Sequence, residues 1–176
     1  TLFAVSDKGH VIEFEPDGTL VQQKLVRKKA DFEGITSHPV TGLLYVAVEG
    51  DEIILEVDPD GLQVVRDIPI DRTFDGSVLI DPKGDGVEGI TFVPAGSGAM
   101  GGTFYLVNQS KELEGKDPSI VFEVEITGSA SEPKATIVRY FSLGVTDLSG
   151  LHYEPSTRQL LVISDDNDLL IETSLS

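Results

Sequence analysis

The feature that most limits the fold is a repeated corner: an acid, two residues, a glycine, then two apolar segments separated by a turn. Asp31 to Glu49 reads DFEGITSHPVTGLLYVAVE and Asp147 to Asp165 reads DLSGLHYEPSTRQLLVISD, and the two align without a gap. Gly34 falls on Gly150, Tyr45 on Leu161 and Glu49 on Asp165. A third copy, GVEGITFVP followed by TFYLVNQ, places Gly89 on Gly34 and Tyr105 on Tyr45, with five extra residues in its turn. Self-similarity at a fixed period marks a repeat architecture, in which one small unit is built several times over.

Between the corners the chain reads as short apolar runs separated by turn residues. Glu15-Pro16-Asp17-Gly18 and Asp58-Pro59-Asp60-Gly61 are turns in which Pro presets φ and Gly accepts a positive value. Gly34 to His38, Leu43 to Val48, Glu52 to Val57 and Gln63 to Ile70 are four strand candidates in succession, which describe a small antiparallel sheet. The same plan divides the chain into units at roughly 1–29, 30–71, 86–143 and 147–176, and no helix signal appears. Repeated four-stranded antiparallel units predict an all-β fold, a β-propeller whose blades pack radially. About three and a half blades are present: the first unit is expected to lack its innermost strand and the last its outermost. The chain is therefore expected either to be part of a larger propeller or to close or oligomerise unusually, with strand edges open to association with another chain. Each third strand carries a Glu between two other residues, at Glu13, Glu56, Glu123 and Glu172, which the two-residue period of a strand predicts on a solvent- or channel-facing side.

The charge balance restricts partners. Thirty acids against thirteen bases give a formal charge of −17. Such a field repels phosphate, so nucleic acid and anionic membranes are not expected partners, and a cation is the natural counter-charge. The one basic run, KLVRKK at Lys24 to Lys29, reads as an edge strand guarded by lysine. With no cysteine there is no disulfide and no thiolate-bound metal. No apolar run approaches the roughly 18 residues of a membrane span. No signal peptide is visible, and the chain starts at Thr1, so a removed leader or a longer N-terminal part is expected.

The corners DFEGIT, GVEGITF and DLSGLHY, with LLYVAVE and LLVISDD after them, resemble the SdiA-regulated family of bacterial β-propellers, itself related to phytase-like and esterase-like propellers. The resemblance is fullest over Ala30 to Val57 and Phe141 to Thr173. It implies a periplasmic or cell-envelope propeller that binds calcium.

In a propeller blade, the loop entering the innermost strand and the loop leaving the second open at the same mouth of the channel. The corner acids Asp31, Glu33, Glu88 and Asp147, with Asp85 nearby, are thus expected to meet the second-strand acids Asp7, Glu49, Asp165 and Asp166, where the third unit has Asn108 and Gln109. Carboxylates are the ligands Ca²⁺ takes, and the candidate metal ligands are Glu33, Glu88, Asp147, Glu49, Asp165 and Asp31. Each of these acids could instead fix its own turn by accepting backbone N–H groups. No catalytic residues are assigned: His10, His38 and His152 lie in different units, and no Gly-x-Ser-x-Gly elbow is present. The expected function is a non-catalytic binding or scaffold propeller. The alternative is a calcium-dependent, phytase-like phosphoester hydrolase, for which only Lys8 and Lys111 lie near the expected mouth.

Overall fold

Strands, turns and their connections account for the described residues, and no helix occurs among them. The computed structural model describes residues 1–81, 84, 86–94, 100–115 and 117–175. Sheet I comprises β1 (Leu2–Val5), β2 (His10–Phe14) and β3 (Leu20–Leu25). Sheet II follows with β4 (Asp31–Ser37), β5 (Leu44–Glu49), β6 (Ile53–Asp58) and β7 (Gln63–Pro69). A small hairpin, β8 (Thr73–Phe74) and β9 (Ser77–Val78), precedes sheet III. Sheet III consists of β10 (Val87–Pro94), β11 (Gly102–Asn108), β12 (Val121–Ser129) and β13 (Glu132–Phe141). Sheet IV has β14 (Leu148–Glu154), β15 (Gln159–Ser164) and β16 (Leu169–Ser174). Within each sheet the strands are antiparallel and ordered as in the chain.

The repeated Glu fixes which strands correspond. It lies on β2, β6, β12 and β16. Sheet I therefore supplies second, third and fourth strands, and sheet IV first, second and third. The inner strands β4, β10 and β14 stand side by side, with β1 flanking β4 on its other side.

Alternating side chains build the core as seams between sheets. Val46, Val48, Leu55 and Val57 of sheet II pack with Val11 and Phe3 of sheet I. On the opposite face, Tyr45, Ala47 and Ile54 pack with Phe92, Phe104 and Phe122 of sheet III. Tyr105, Val107 and Val121, on the far side of sheet III, meet Leu148, Leu160 and Val162 of sheet IV. The period of two sends successive residues to opposite faces, so a sheet covered on both sides reads as an unbroken apolar run. Every residue of β11 is buried, and so is all of β5 except Glu49.

Two of the third-strand glutamates, Glu56 and Glu123, depart from the sequence expectation, whereas Glu172 is exposed in keeping with it. Glu56 is only 3% exposed. It accepts a hydrogen bond from Tyr45 Oη at 2.6 Å and two from Arg66, at 3.1 and 2.9 Å. Glu123 is held likewise by Arg139 at 3.0 Å and by Thr103 Oγ1 at 3.0 Å, while Arg139 also donates to Tyr105 Oη at 2.7 Å. A carboxylate on an apolar seam has to be paired, because an isolated buried charge is too costly. The partners come from the second and fourth strands at matching register, Tyr45↔Glu56 and Glu56↔Arg66.

Candidate functional site

The three corners share one backbone device. In each, the pairing of first and second strand slips by one residue, between Phe32 and Gly34, between Val87 and Gly89, and between Leu148 and Gly150. The residues in the slip are Glu33, Glu88 and Ser149. A β-bulge leaves its extra residue unpaired and re-aims its side chain. Glycine then lets adjacent strands touch: a Cβ on Gly34 would stand 3.0 Å from the Glu88 carbonyl oxygen and 3.1 Å from the Gly89 Cα. That approach brings Glu33 and Glu88 to one place.

Asp31, Glu33 and Glu49 gather there as well, each with an oxygen within 4.8 Å of the others. Asp31 and Glu49 face each other across β4 and β5. Asp31 Oδ1 is buried and has no hydrogen-bond partner. Burial, together with the carboxylates of Asp31 and Glu49, pushes Glu33 up to about 7, while a hydrogen bond with Glu88 acts the other way. Burial, then the charges of Glu33, Glu49 and Asp31, pushes Glu88 up to about 8. Carboxylates this close need either a shared proton or a cation between them.

Glu52 escaped the sequence reading. It is 4% exposed, accepts the Gly50 N–H at 3.2 Å through Oε1, and leaves Oε2 buried without a partner. Burial raises its pKa, against a lowering by Arg72. It stands behind the cluster with Glu49: a Cβ on Gly86 would lie 3.1 Å from Glu52 Oε1 and 3.3 Å from Glu49 Oε1. Gly86 occupies the position of Asp31 and Asp147, and a side chain there would displace both glutamates. The available signal was the turn EGDE, which puts a second Glu three residues after Glu49.

The remaining candidates stand apart. Among the described residues, the grouping that could hold a metal contains neither Asp147 nor Asp165. Asp147 is 2% exposed, and its backbone takes the left-handed conformation, φ 58°, which Asp tolerates better than most residues. Its N–H donates to the Ser110 carbonyl at 2.7 Å, its carbonyl accepts from Asp165 at 3.1 Å, and its Oδ2 accepts the Asp166 N–H at 2.8 Å. Its Oδ1 has no partner. Asp147 thus pins the corner of sheet IV. Asp165, Asp166 and Asp7 are exposed, and Asp85 lies outside the described residues. His38 is buried in a structural role, with Nδ1 accepting the Val40 and Thr41 N–H groups at 3.2 Å and Nε2 donating to the Met100 carbonyl at 2.8 Å.

The chain is similar in fold to several solved structures, a propeller among them. The Dos1 propeller matches over 98% of this chain and 44% of its own length, at 12% identity and TM-score 0.53. The nidogen/laminin complex matches over 97% and 54%, at 13% identity and TM-score 0.55. Hydrazine synthase of Kuenenia stuttgartiensis matches over 93% and 41%, at 15% identity and TM-score 0.53. The chain spans about half the length of these structures, 41% to 54%. No curated protein matches it. Among the described residues, no helix is long and apolar enough to cross a membrane. The family model described as SdiA-regulated matches residues 1–176, and with its radial antiparallel sheets and glycine corners the chain belongs to the SdiA-regulated family of β-propellers.

Proposed function

We propose that the chain is a non-catalytic binding or scaffold propeller of the cell envelope that holds calcium at the Asp31, Glu33 and Glu49 corner, with Glu88 beside it. The observation that carries this reading is the convergence of three carboxylates around the buried, unpartnered Asp31 Oδ1. Calcium takes six to eight oxygens in flexible geometry, so three or four carboxylates leave positions for carbonyls and water. The affinity expected is that of the extracellular calcium modules, whose dissociation constants are about 10⁻⁴ to 10⁻³ M. The periplasmic or extracellular placement agrees with that range and with the family resemblance. Protein partners fit a propeller with free strand edges, as at β1 and β16. The hydrolase alternative needs basic side chains for a phosphate substrate, whereas the groups acting most on Glu33 and Glu88 are burial and other carboxylates. Lys8 and Lys111 are exposed.

Titration calorimetry with calcium, paired with a phosphate-release assay on a phosphomonoester, tests both readings. Heat and a raised melting temperature without turnover are expected, and Glu33→Gln with Glu49→Gln should abolish both. No heat and no thermal shift in the unmutated protein would remove the cation, and calcium-dependent phosphate release would replace scaffold by hydrolase.

A further inference from the structure

One acid of the corner lies outside the group of three. Glu52 closes the turn between β5 and β6, three residues after Glu49. Two unfavourable conditions meet in it. Its backbone is left-handed, φ 49°, a conformation that suits Gly, Asn or Asp better than a longer side chain. Its carboxylate is withdrawn from water, the residue being 4% exposed. The turn itself uses only Oε1, which accepts the Gly50 N–H at 3.2 Å, while Oε2 is buried with no partner. Asp168 holds the same register position in sheet IV, four residues before the repeated Glu, and is likewise left-handed at φ 52° but exposed. An aspartate therefore satisfies this turn, and the extra reach and burial of Glu52 serve something besides it.

What Glu52 reaches is the back of the acidic corner. Glu52 Oε1 and Glu49 Oε1 both stand within 3.3 Å of one point, the place that a Cβ on Gly86 would take. Glu49 also belongs to the group formed with Asp31 and Glu33. It thus stands between two sets of carboxylate oxygens, Asp31 and Glu33 on one side and Glu52 on the other. Asp117, from the loop between β11 and β12, deepens the negative field at Glu52, and Arg72 opposes it. Among the described residues no ion pair joins Arg72 to Glu52. A divalent ion on Asp31, Glu33 and Glu49 is already outnumbered by their charges, so it leaves Glu52 uncompensated in a site removed from water. A buried carboxylate without a counter-charge is too costly to keep ionised.

We propose that Glu52 holds a second hard divalent cation beside the first, with the Glu49 carboxylate shared between the two. Two divalent ions match the four charges of Asp31, Glu33, Glu49 and Glu52, where one ion meets half of them. Carboxylates bind calcium through one oxygen or both, and carbonyls and water complete the shell. Ions that share a site in this way lie about 3.5 to 4 Å apart. Gly86 keeps the approach open, since any side chain there would displace Glu49 and Glu52 together. The proposal rests on the reading of this corner as a calcium site and adds a second ion to it.

The test counts the ions on the full chain and asks whether they are neighbours. Calorimetric titration with calcium at physiological ionic strength gives the number bound. Energy transfer from terbium to europium, loaded together in place of calcium, reports adjacency, because it falls off steeply with distance. Two ions per chain and strong transfer are expected. Glu52→Gln should leave one ion and abolish the transfer. Glu52→Asp should do the same, since it keeps the charge and suits the backbone but is one methylene too short. Both variants should keep a melting temperature in chelator at or above the unmutated value, so that loss of an ion is not loss of the fold. Ion number and transfer unchanged by Glu52→Gln would overturn the second site and leave the calcium reading standing. A single ion that Glu52→Gln removes would make Glu52 a ligand of the first ion and overturn the proposal too. Two ions without transfer would put the second among exposed acids elsewhere, with the same consequence. No bound ion in the unmutated protein would sink both readings.

Discussion

Glu33 and Glu88 show how much one residue's placement depends on a backbone irregularity. Each occupies the extra position of a bulge, and the touching glycines of β4 and β10 bring the two together. Sheet IV has Ser149 at the same position, so the carboxylate row ends there. Both glutamates hold their protons to higher pH in the fold than in the unfolded chain, chiefly through burial and then through each other and Asp31 and Glu49. The native state therefore binds more protons than the unfolded state between the ordinary carboxylate range and about pH 8. Stability from these groups is fully present at low pH and is lost as pH rises through about 7 to 8. In chelator, the melting temperature should fall between pH 5 and pH 8, and Glu33→Gln with Glu88→Gln should flatten that slope, as scanning fluorimetry across pH would show. Calcium should reverse the trend, raising the melting temperature more at pH 8 than at pH 5, because the cation competes with protons for the same oxygens. A slope that persists in the double variant would place the titration elsewhere.

At the level of the strand, each of the two middle sheets is tied across by three side chains in register. Tyr45, Glu56 and Arg66 cross β5, β6 and β7, and Tyr105, Glu123 and Arg139 cross β11, β12 and β13. The two sets differ in burial: the Glu56 side chain is 4% exposed and that of Glu123 18%. Arg66→Leu leaves a buried carboxylate with only a tyrosine partner and should cost about 3 kcal/mol. Arg139→Leu breaks a wetter pair and should cost about 1 kcal/mol or less. Urea unfolding of both variants checks the ranking, and equal costs would show that burial of Glu56 does not govern the pair. The glycine corners and apolar runs made the sheets legible in the sequence, because a period of two and a turn are local signals. The triads were not legible, because Tyr45 and Arg66 become neighbours of Glu56 only once register is set. For the same reason the acids at the corner were identified as a set, yet the sequence could not separate Glu33, which a bulge turns toward its neighbours, from Asp147, which is consumed in pinning its own corner. The length of the β12–β13 hairpin, which still pairs at Ser129 and Glu132, has no such local signal.

Across the whole molecule, stability is distributed as seams rather than as one centre. The seam between sheets II and III gathers side chains from both sheets, three packed aromatics among them, and from Leu79 and Ile80; Tyr45 lies 4.6 Å from Phe104 in a tilted arrangement and Phe92 5.0 Å from it edge-on, between ring centroids. Sheet I contributes only Val11 and partly buried side chains to its seam, and sheet IV only Leu148, Leu160 and Val162 in full. The outward faces of both end sheets carry exposed apolar residues, Leu2 and Leu20 at one end and Ile163 and Leu170 at the other. When each sheet contacts only its neighbours, stability is a sum of unit and interface contributions, and the ends are held by one interface where the middle is held by two. Local opening should follow that order. In native-state hydrogen exchange, β5, β6, β11 and β12 should be protected longest, β3 and β16 least, and β1 and β14 at an intermediate level. Uniform protection across all four sheets would mean that the molecule opens as one cooperative unit and that the seams do not act separately.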